Sequence, residues 1–153
     1  IRVNMDKKLT QAWERRTPHC TLRSPYEALI LASIIEKETG IASERAQIAG
    51  VFTRRLQKGM LLQTDPTVIY GLGESFDGNL RRIHLQADTP FNTYTRAGLP
   101  PTPIAMPGRA SLMAAAQPAL SSALYFVARG DGSSQFSESL DQHNRAVNRY
   151  QRK

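Results

Sequence analysis

The chain has 153 residues, 41% hydrophobic and 22% charged, enough for one domain with a real core and unlike a disordered or fibrous sequence. Its net charge of +7 favours an anionic partner without choosing among nucleic acid, membrane surface and acidic polymer. One cysteine, Cys20, excludes an internal disulfide, and His19, His84 and His143 lack metal-ligand spacing, so neither a metal nor another cofactor is expected.

Residues 1–23 read as a lead-in from a region upstream, with a short helix over 5–16 built around Leu9, Ala12 and Trp13 and broken at Thr17-Pro18. Residues 24–153 read as the functional domain. The chain starts at Ile1, as expected of a fragment of a longer protein, and its longest apolar run, 28–35, is too short to span a bilayer.

The most strongly marked helix is predicted over residues 24–40. Ser24 can cap it, Pro25 suits the first helical position, Glu27 completes a capping box, and Gly40 suits the exit. Its interior is apolar on nearly every side, which marks a buried helix. Glu36 and Glu38 nevertheless occupy its last turn, where the helix dipole disfavours negative charge. At ~100° per residue, Glu38 falls on the side of Leu31, Ile34 and Ile35, and Glu36 on the side of Leu29 and Ala32. An apolar setting at a negative helix end raises a carboxyl pKa, which suits general-acid chemistry on a glycosidic bond. The plainer alternative is that both glutamates mark where the helix surfaces.

A second helix is predicted from a Ser43 cap to Gly59, with Ile48, Val51, Phe52 and Leu56 at helical spacing. Asp65-Pro66 opens one or two turns that Gly71 stops, with Asp65 as the cap. Five prolines leave 83–108 without regular structure, and an ordered irregular stretch of that length suggests function. A helix over 109–116, a hairpin of 125–128 with 133–137, and a final helix opened by Ser139 and Gln142 complete the order. That last helix presents Leu140, Val147 and Tyr150 on one face. The fold expected is α+β, mainly helical, with one small antiparallel element. Asp65 is the natural partner for Glu38 in a two-carboxylate glycosidase. The basic pairs Arg15-Arg16, Arg54-Arg55 and Arg81-Arg82 read as solvated surface. A nucleic-acid-binding module is disfavoured because no aromatic residues interleave with them.

Five segments in this order, ILASIIEKETG, LLQTDPTVIYGLG, FNTYTRAGLPPTPIAMPG, YFVARGDGSSQFS and HNRAV, make the chain resemble the catalytic domain of the endolytic murein transglycosylases, the YceG-like family. Thr102 and Met106 depart from that pattern. The resemblance covers nearly the whole chain and implies a lytic-transglycosylase-like cleft. The implied reaction cuts the β-1,4 bond between N-acetylmuramic acid and N-acetylglucosamine within a peptidoglycan strand, leaving a 1,6-anhydro end. It implies Glu38 as the single acid and base, and Gln63, Thr64, Tyr70, Asn92, Thr93 and Tyr94 as candidate substrate-binding residues. Glu36, Asp65, His143 and Asn144 stand as supporting neighbours. It further implies an N-terminal membrane anchor upstream of this chain, a site facing the periplasm, and peptidoglycan synthases as candidate partners.

Overall fold

A computed structural model of the chain describes residues 2–38 and 41–151. Thr39 and the expected exit residue Gly40 lie outside the described residues. Among the described residues there are seven α-helices and one two-stranded sheet: α1 (Arg2–Glu14), α2 (Pro25–Glu38), α3 (Arg45–Lys58), α4 (Asp65–Leu72), α5 (Arg82–Gln86), α6 (Arg109–Ala116), β1 (Tyr125–Ala128), β2 (Ser134–Ser137) and α7 (Leu140–Gln151). The mainly helical α+β expectation holds.

Helix α2 lies at the centre because its sequence leaves it no solvent face. Residues Ile30 to Ile35 are all buried, and α1, α3, α4 and α6 pack around them. Ala12, Ile48, Phe52, Leu62 and Leu112 join Leu31, Ile34 and Ile35 in one core cluster. The start of α2 is fixed by its own residues. The Glu27 amide donates to Ser24 Oγ at 3.2 Å, and the Glu27 carboxylate accepts from the Arg23 amide at 2.7 Å. The reciprocal bond thus reaches one residue further back than a standard capping box. Helix α7 repeats the arrangement, with Ser139 Oγ accepting from the Gln142 amide and Gln142 Oε1 accepting from the Glu138 amide.

Several boundaries differ from expectation for identifiable reasons. Ser43 is not the cap of α3; it sits in a 3-10 turn, Ala42–Glu44, that leads into the helix. Gly59 does end α3, in the left-handed region at φ +72°. Gly71 does not stop α4, which continues to Leu72 with Gly73 beyond it at φ +57°. Gly71 is small for another reason: a Cβ there would lie 2.9 Å from Thr89 Oγ1. On α7 the buried residue is Ala146, whereas Leu140 is exposed.

The proline-rich stretch holds one short helix, α5, and is otherwise ordered by side chains. Asn92 is fully buried; its Nδ2 donates to the Leu85 and Ala87 carbonyls and its Oδ1 accepts from the Tyr94 amide. Ser33 Oγ on α2 donates to the Ile30 carbonyl and accepts from the Ile104 amide at 3.0 Å, anchoring the far end of the stretch to the core. Glu36 Oε1 accepts from the Gly108 amide and Ser111 hydroxyl, both at 2.9 Å, and so caps α6 from another helix.

The hairpin pairs Tyr125 with Ser137 through Ala128 with Ser134. Gly130 and Gly132, both at φ +94°, make its turn. The pair Arg54-Arg55 is not solvated surface. Arg54 donates to the carbonyls of Ala119 and Ala123, and Arg55 to those of Leu61 and Leu124. Both arginines therefore clamp the approach to β1 against α3. Gly50 completes that seam, since a Cβ there would lie 2.6 Å from the Ala119 carbonyl oxygen.

Candidate active site

The end of α2, the segment entering α4, the middle of α3, strand β1 and helix α7 enclose a cavity of about 560 Å³. Its polar wall carries Glu38, Arg55, Gln63, Thr64, Asp65, Tyr94 and His143; Val51, Phe52, Leu62 and Phe126 supply the apolar wall. A larger groove of about 810 Å³ runs between residues 21–30 and 98–101. Glu27, the carboxylate in that groove, is occupied in the α2 cap.

Glu38 reaches the cavity because it is the last residue of α2, one turn beyond Ile34 and Ile35, on the stripe that the core buries. Burial raises its pKa, and the nearby charge of Asp65 raises it further. Opposing them, Thr64 Oγ1 donates to Glu38 Oε1 at 2.6 Å, a bond that favours the carboxylate. The balance is upward. The same helix end treats Glu36 the other way, because the hydrogen bonds from Gly108 and Ser111 hold its pKa below the usual value.

Thr64 is itself rigidly held. Its amide donates to Thr93 Oγ1 at 3.0 Å, and the Thr67 hydroxyl bonds both the Thr64 carbonyl and Thr93 Oγ1 at 2.8 Å. The Gln63 amide donates to the Thr93 carbonyl at 3.2 Å. These bonds hold Gln63 in the left-handed region, at φ +52°, an uncommon conformation for a residue with a side chain. Gln63 is exposed at the cavity wall.

Asp65 is the first residue of α4 and Thr64 its N-cap, with no side-chain capping bond from either. The Asp65 carboxylate instead accepts from the Tyr94 hydroxyl. Burial and that carboxylate hold the Tyr94 phenol well above its ordinary pKa, so it stays protonated. His143 stacks on Tyr125 with ring centroids 5.0 Å apart, and burial together with Arg55 pushes its pKa down.

Of the residues singled out from sequence, Glu38, Gln63, Thr64, Asp65, Tyr94 and His143 meet in the cavity. Five do not line it, among them Glu36, which is bound to Gly108 and Ser111 at the start of α6. Asn92 and Thr93 are buried in backbone-ordering bonds. Tyr70 is 47% exposed and packs on Phe91, with centroids 4.9 Å apart. Asn144 is exposed on α7. Arg55 and Tyr125, which do line it, were missing from the sequence-based set. Ile48, Val51, Phe52 and Arg55 follow an i, i+3, i+4, i+7 pattern, which would have placed Arg55 on the buried face of α3. Among the described residues no group of three or more His, Cys, Asp or Glu side chains could hold a metal ion, and no helix is long and apolar enough to cross a membrane.

The model of the YceG-like family matches residues 2–149. The chain belongs to the YceG-like family. This YceG-like chain is 43% identical over 127 residues to the endolytic murein transglycosylase of Bacillus subtilis, covering 83% of the chain and 35% of the relative. It is 31% identical over 150 residues to the enzyme of that name from Streptococcus pneumoniae D39, covering 94% of the chain and 26% of the relative. A solved YceG-like protein from Listeria monocytogenes superposes with a TM-score of 0.76 at 40% identity, covering 94% of this chain and 44% of that one. The YceG-like chain therefore spans about a third or less of the two curated relatives.

Proposed function

We propose that this chain is the catalytic domain of a lytic transglycosylase that cleaves the β-1,4 bond between N-acetylmuramic acid and N-acetylglucosamine inside peptidoglycan strands. The observation that carries the reading is a single carboxyl, Glu38, held towards its protonated form at the wall of a cavity large enough for sugar rings. The names of the two curated relatives support it.

Glu38 gives its proton to the departing glycosidic oxygen and, as carboxylate, takes the proton of the muramoyl 6-hydroxyl while that oxygen closes on the anomeric carbon. The product is a 1,6-anhydro end, and no water is consumed. Thr64 stabilises the carboxylate stage through its hydroxyl. Gln63 and Tyr94 supply amide and hydroxyl groups at the wall for the sugar substituents. In the full-length protein the domain is tethered to the bacterial inner membrane by a segment upstream, and it acts in the periplasm beside peptidoglycan synthases.

Glu38→Gln is expected to lose about 10²–10⁴-fold in strand cleavage, the range of a general acid–base contribution, with its circular dichroism unchanged. Mass spectrometry of products from wild-type protein should show anhydromuramoyl ends. Reducing muramoyl ends alone would reject the transglycosylase.

A lysozyme-like hydrolase is the second reading, favoured by the presence of Asp65 in the same cavity. It requires Asp65→Asn to abolish cleavage as completely as Glu38→Gln does. The transglycosylase reading expects Asp65→Asn to retain measurable anhydro product and to lower stability through a Tyr94 bond that is no longer charge-assisted.

A further inference from the structure

Among the described residues, Arg55 is a buried cation without a counterion. Its side chain is 7% exposed, and among the described residues it forms no ion pair. Two of its N–H groups are occupied, Nε by the Leu124 carbonyl and Nη1 by the Leu61 carbonyl, both at 2.7 Å. Its guanidinium carbon lies 4.8 Å from the centre of the Tyr125 ring. These contacts fix its direction but neutralise no charge, and the guanidinium faces the cavity that holds Glu38.

A second group beside it also lacks a partner. His143 stacks on the same Tyr125 ring and lines the same cavity, and among the described residues its buried Nδ1 has no hydrogen-bond partner. Buried polar atoms are nearly always paired, and buried charges are nearly always balanced. Two exceptions on one aromatic ring, in one cavity, describe a site whose complement is supplied from outside. The complement of a fixed guanidinium and an adjacent imidazole is a carboxylate, which a guanidinium grips more firmly than it does a neutral carbonyl.

We infer that Arg55 and His143, arranged around Tyr125, form a subsite for a carboxylate on the lactyl–peptide substituent of a muramoyl residue. The inference rests on the proposed peptidoglycan substrate and adds a specificity to it. Cleavage is directed to strands that still carry acidic substituents, and the subsite binds the substituent, not the reacting sugar atoms.

The test compares kcat/KM on two strand preparations. One carries tetrapeptides with free carboxylates; the other is the same material with its carboxylates coupled to methylamine. Wild-type protein should prefer the free-carboxylate strands by at least about tenfold. Arg55→Gln should bring that ratio close to one, chiefly through KM, and Arg55→Lys should retain part of the preference. Peptide-trimmed strands, which expose the lactyl carboxylate, show which of the two carboxylates is gripped. Equal kcat/KM for the two preparations with wild-type protein overturns the subsite and leaves the function standing. A ratio that Arg55→Gln leaves unaltered while both rates fall assigns Arg55 a purely structural role and also overturns it. If Arg55→Gln does not fold, the wild-type ratio and the Arg55→Lys ratio decide. Absence of cleavage of every strand, with no binding by Glu38→Gln, removes the underlying function and the subsite with it.

Discussion

The pKa of Glu38 is set by a contest that one methyl-for-hydroxyl exchange can tilt. The Thr64 hydroxyl favours the carboxylate, whereas burial and Asp65 favour the acid. Thr64→Val keeps the shape and removes the opposing bond, so the Glu38 pKa should rise further. The alkaline limb of kcat/KM against pH should then move to higher pH, while the fold-stabilising bonds of the Thr64 amide and carbonyl remain. An unmoved or lowered alkaline limb would count against Glu38 as the titrating acid. The stability sign follows from the same shift. A carboxyl with a raised folded pKa is destabilising above that pKa, because the folded state must release a proton it holds more tightly than the unfolded chain does. Glu38→Gln should therefore stabilise the protein at neutral pH, and the gain should vanish below pH 4, as a pair of urea titrations would show. The setting of Glu38 was legible because it needs only helical periodicity and the polarity of a helix end. Thr64 as its partner was not, since 26 residues separate the two and no local pattern announces the bond.

Elements hold one another through single side chains here, and two of these joints give opposite lessons about legibility. Glu36 caps α6 across 72 residues, a role hidden from any local reading. Its folded pKa is lowered, so its contribution is present above the ordinary carboxylate value near 4.5 and is lost as pH falls through the lowered one. Glu36→Ala should cost about 0.5–1 kcal/mol at pH 7, the low end of the range for a lost helix cap. The difference should shrink at pH 3; an unchanged difference would mean that packing, not the charge, was lost. Gly50 is the opposite case, a glycine inside a helix where propensity alone favours alanine by about 1 kcal/mol. The 2.6 Å approach of its missing Cβ to the Ala119 carbonyl outweighs that gain, since overpacking costs about 1–3 kcal/mol. Gly50→Ala should lower Tm, and a rise would show that the seam between α3 and residue 119 is slack. Helices with complete start signals, α2 and α7, could be read from sequence. The five-residue α5 could not: it lies among the prolines, and the side-chain bond at its start runs from the Arg81 amide to His84 Nδ1, residue types that no start rule names.

At the scale of the whole molecule, the +7 charge is neither a solvated coat nor evidence for nucleic acid. Arg54 and Arg55 are spent inside, bonded to main-chain carbonyls, while Asp77, Asp88 and Asp141 each take one surface arginine. These three pairs involve exposed groups and contribute little to stability. Pairing leaves the net charge unaltered, so the excess positive field acts on whatever approaches. If the substrate is a strand bearing acidic peptides, that field speeds encounter and raises local concentration without touching the chemical step. Screening then separates the two effects. The Debye length falls from about 30 Å at 0.01 M salt to about 8 Å at 0.15 M. KM on free-carboxylate strands should therefore rise several-fold across that range while kcat stays constant. The buried Arg55 is screened much less than the surface, so a preference for free over methylamine-coupled carboxylates should survive at 0.15 M even as KM on the free-carboxylate strands rises. A preference that disappears with salt at the same rate as KM rises would assign the discrimination to the diffuse surface field and not to the cavity.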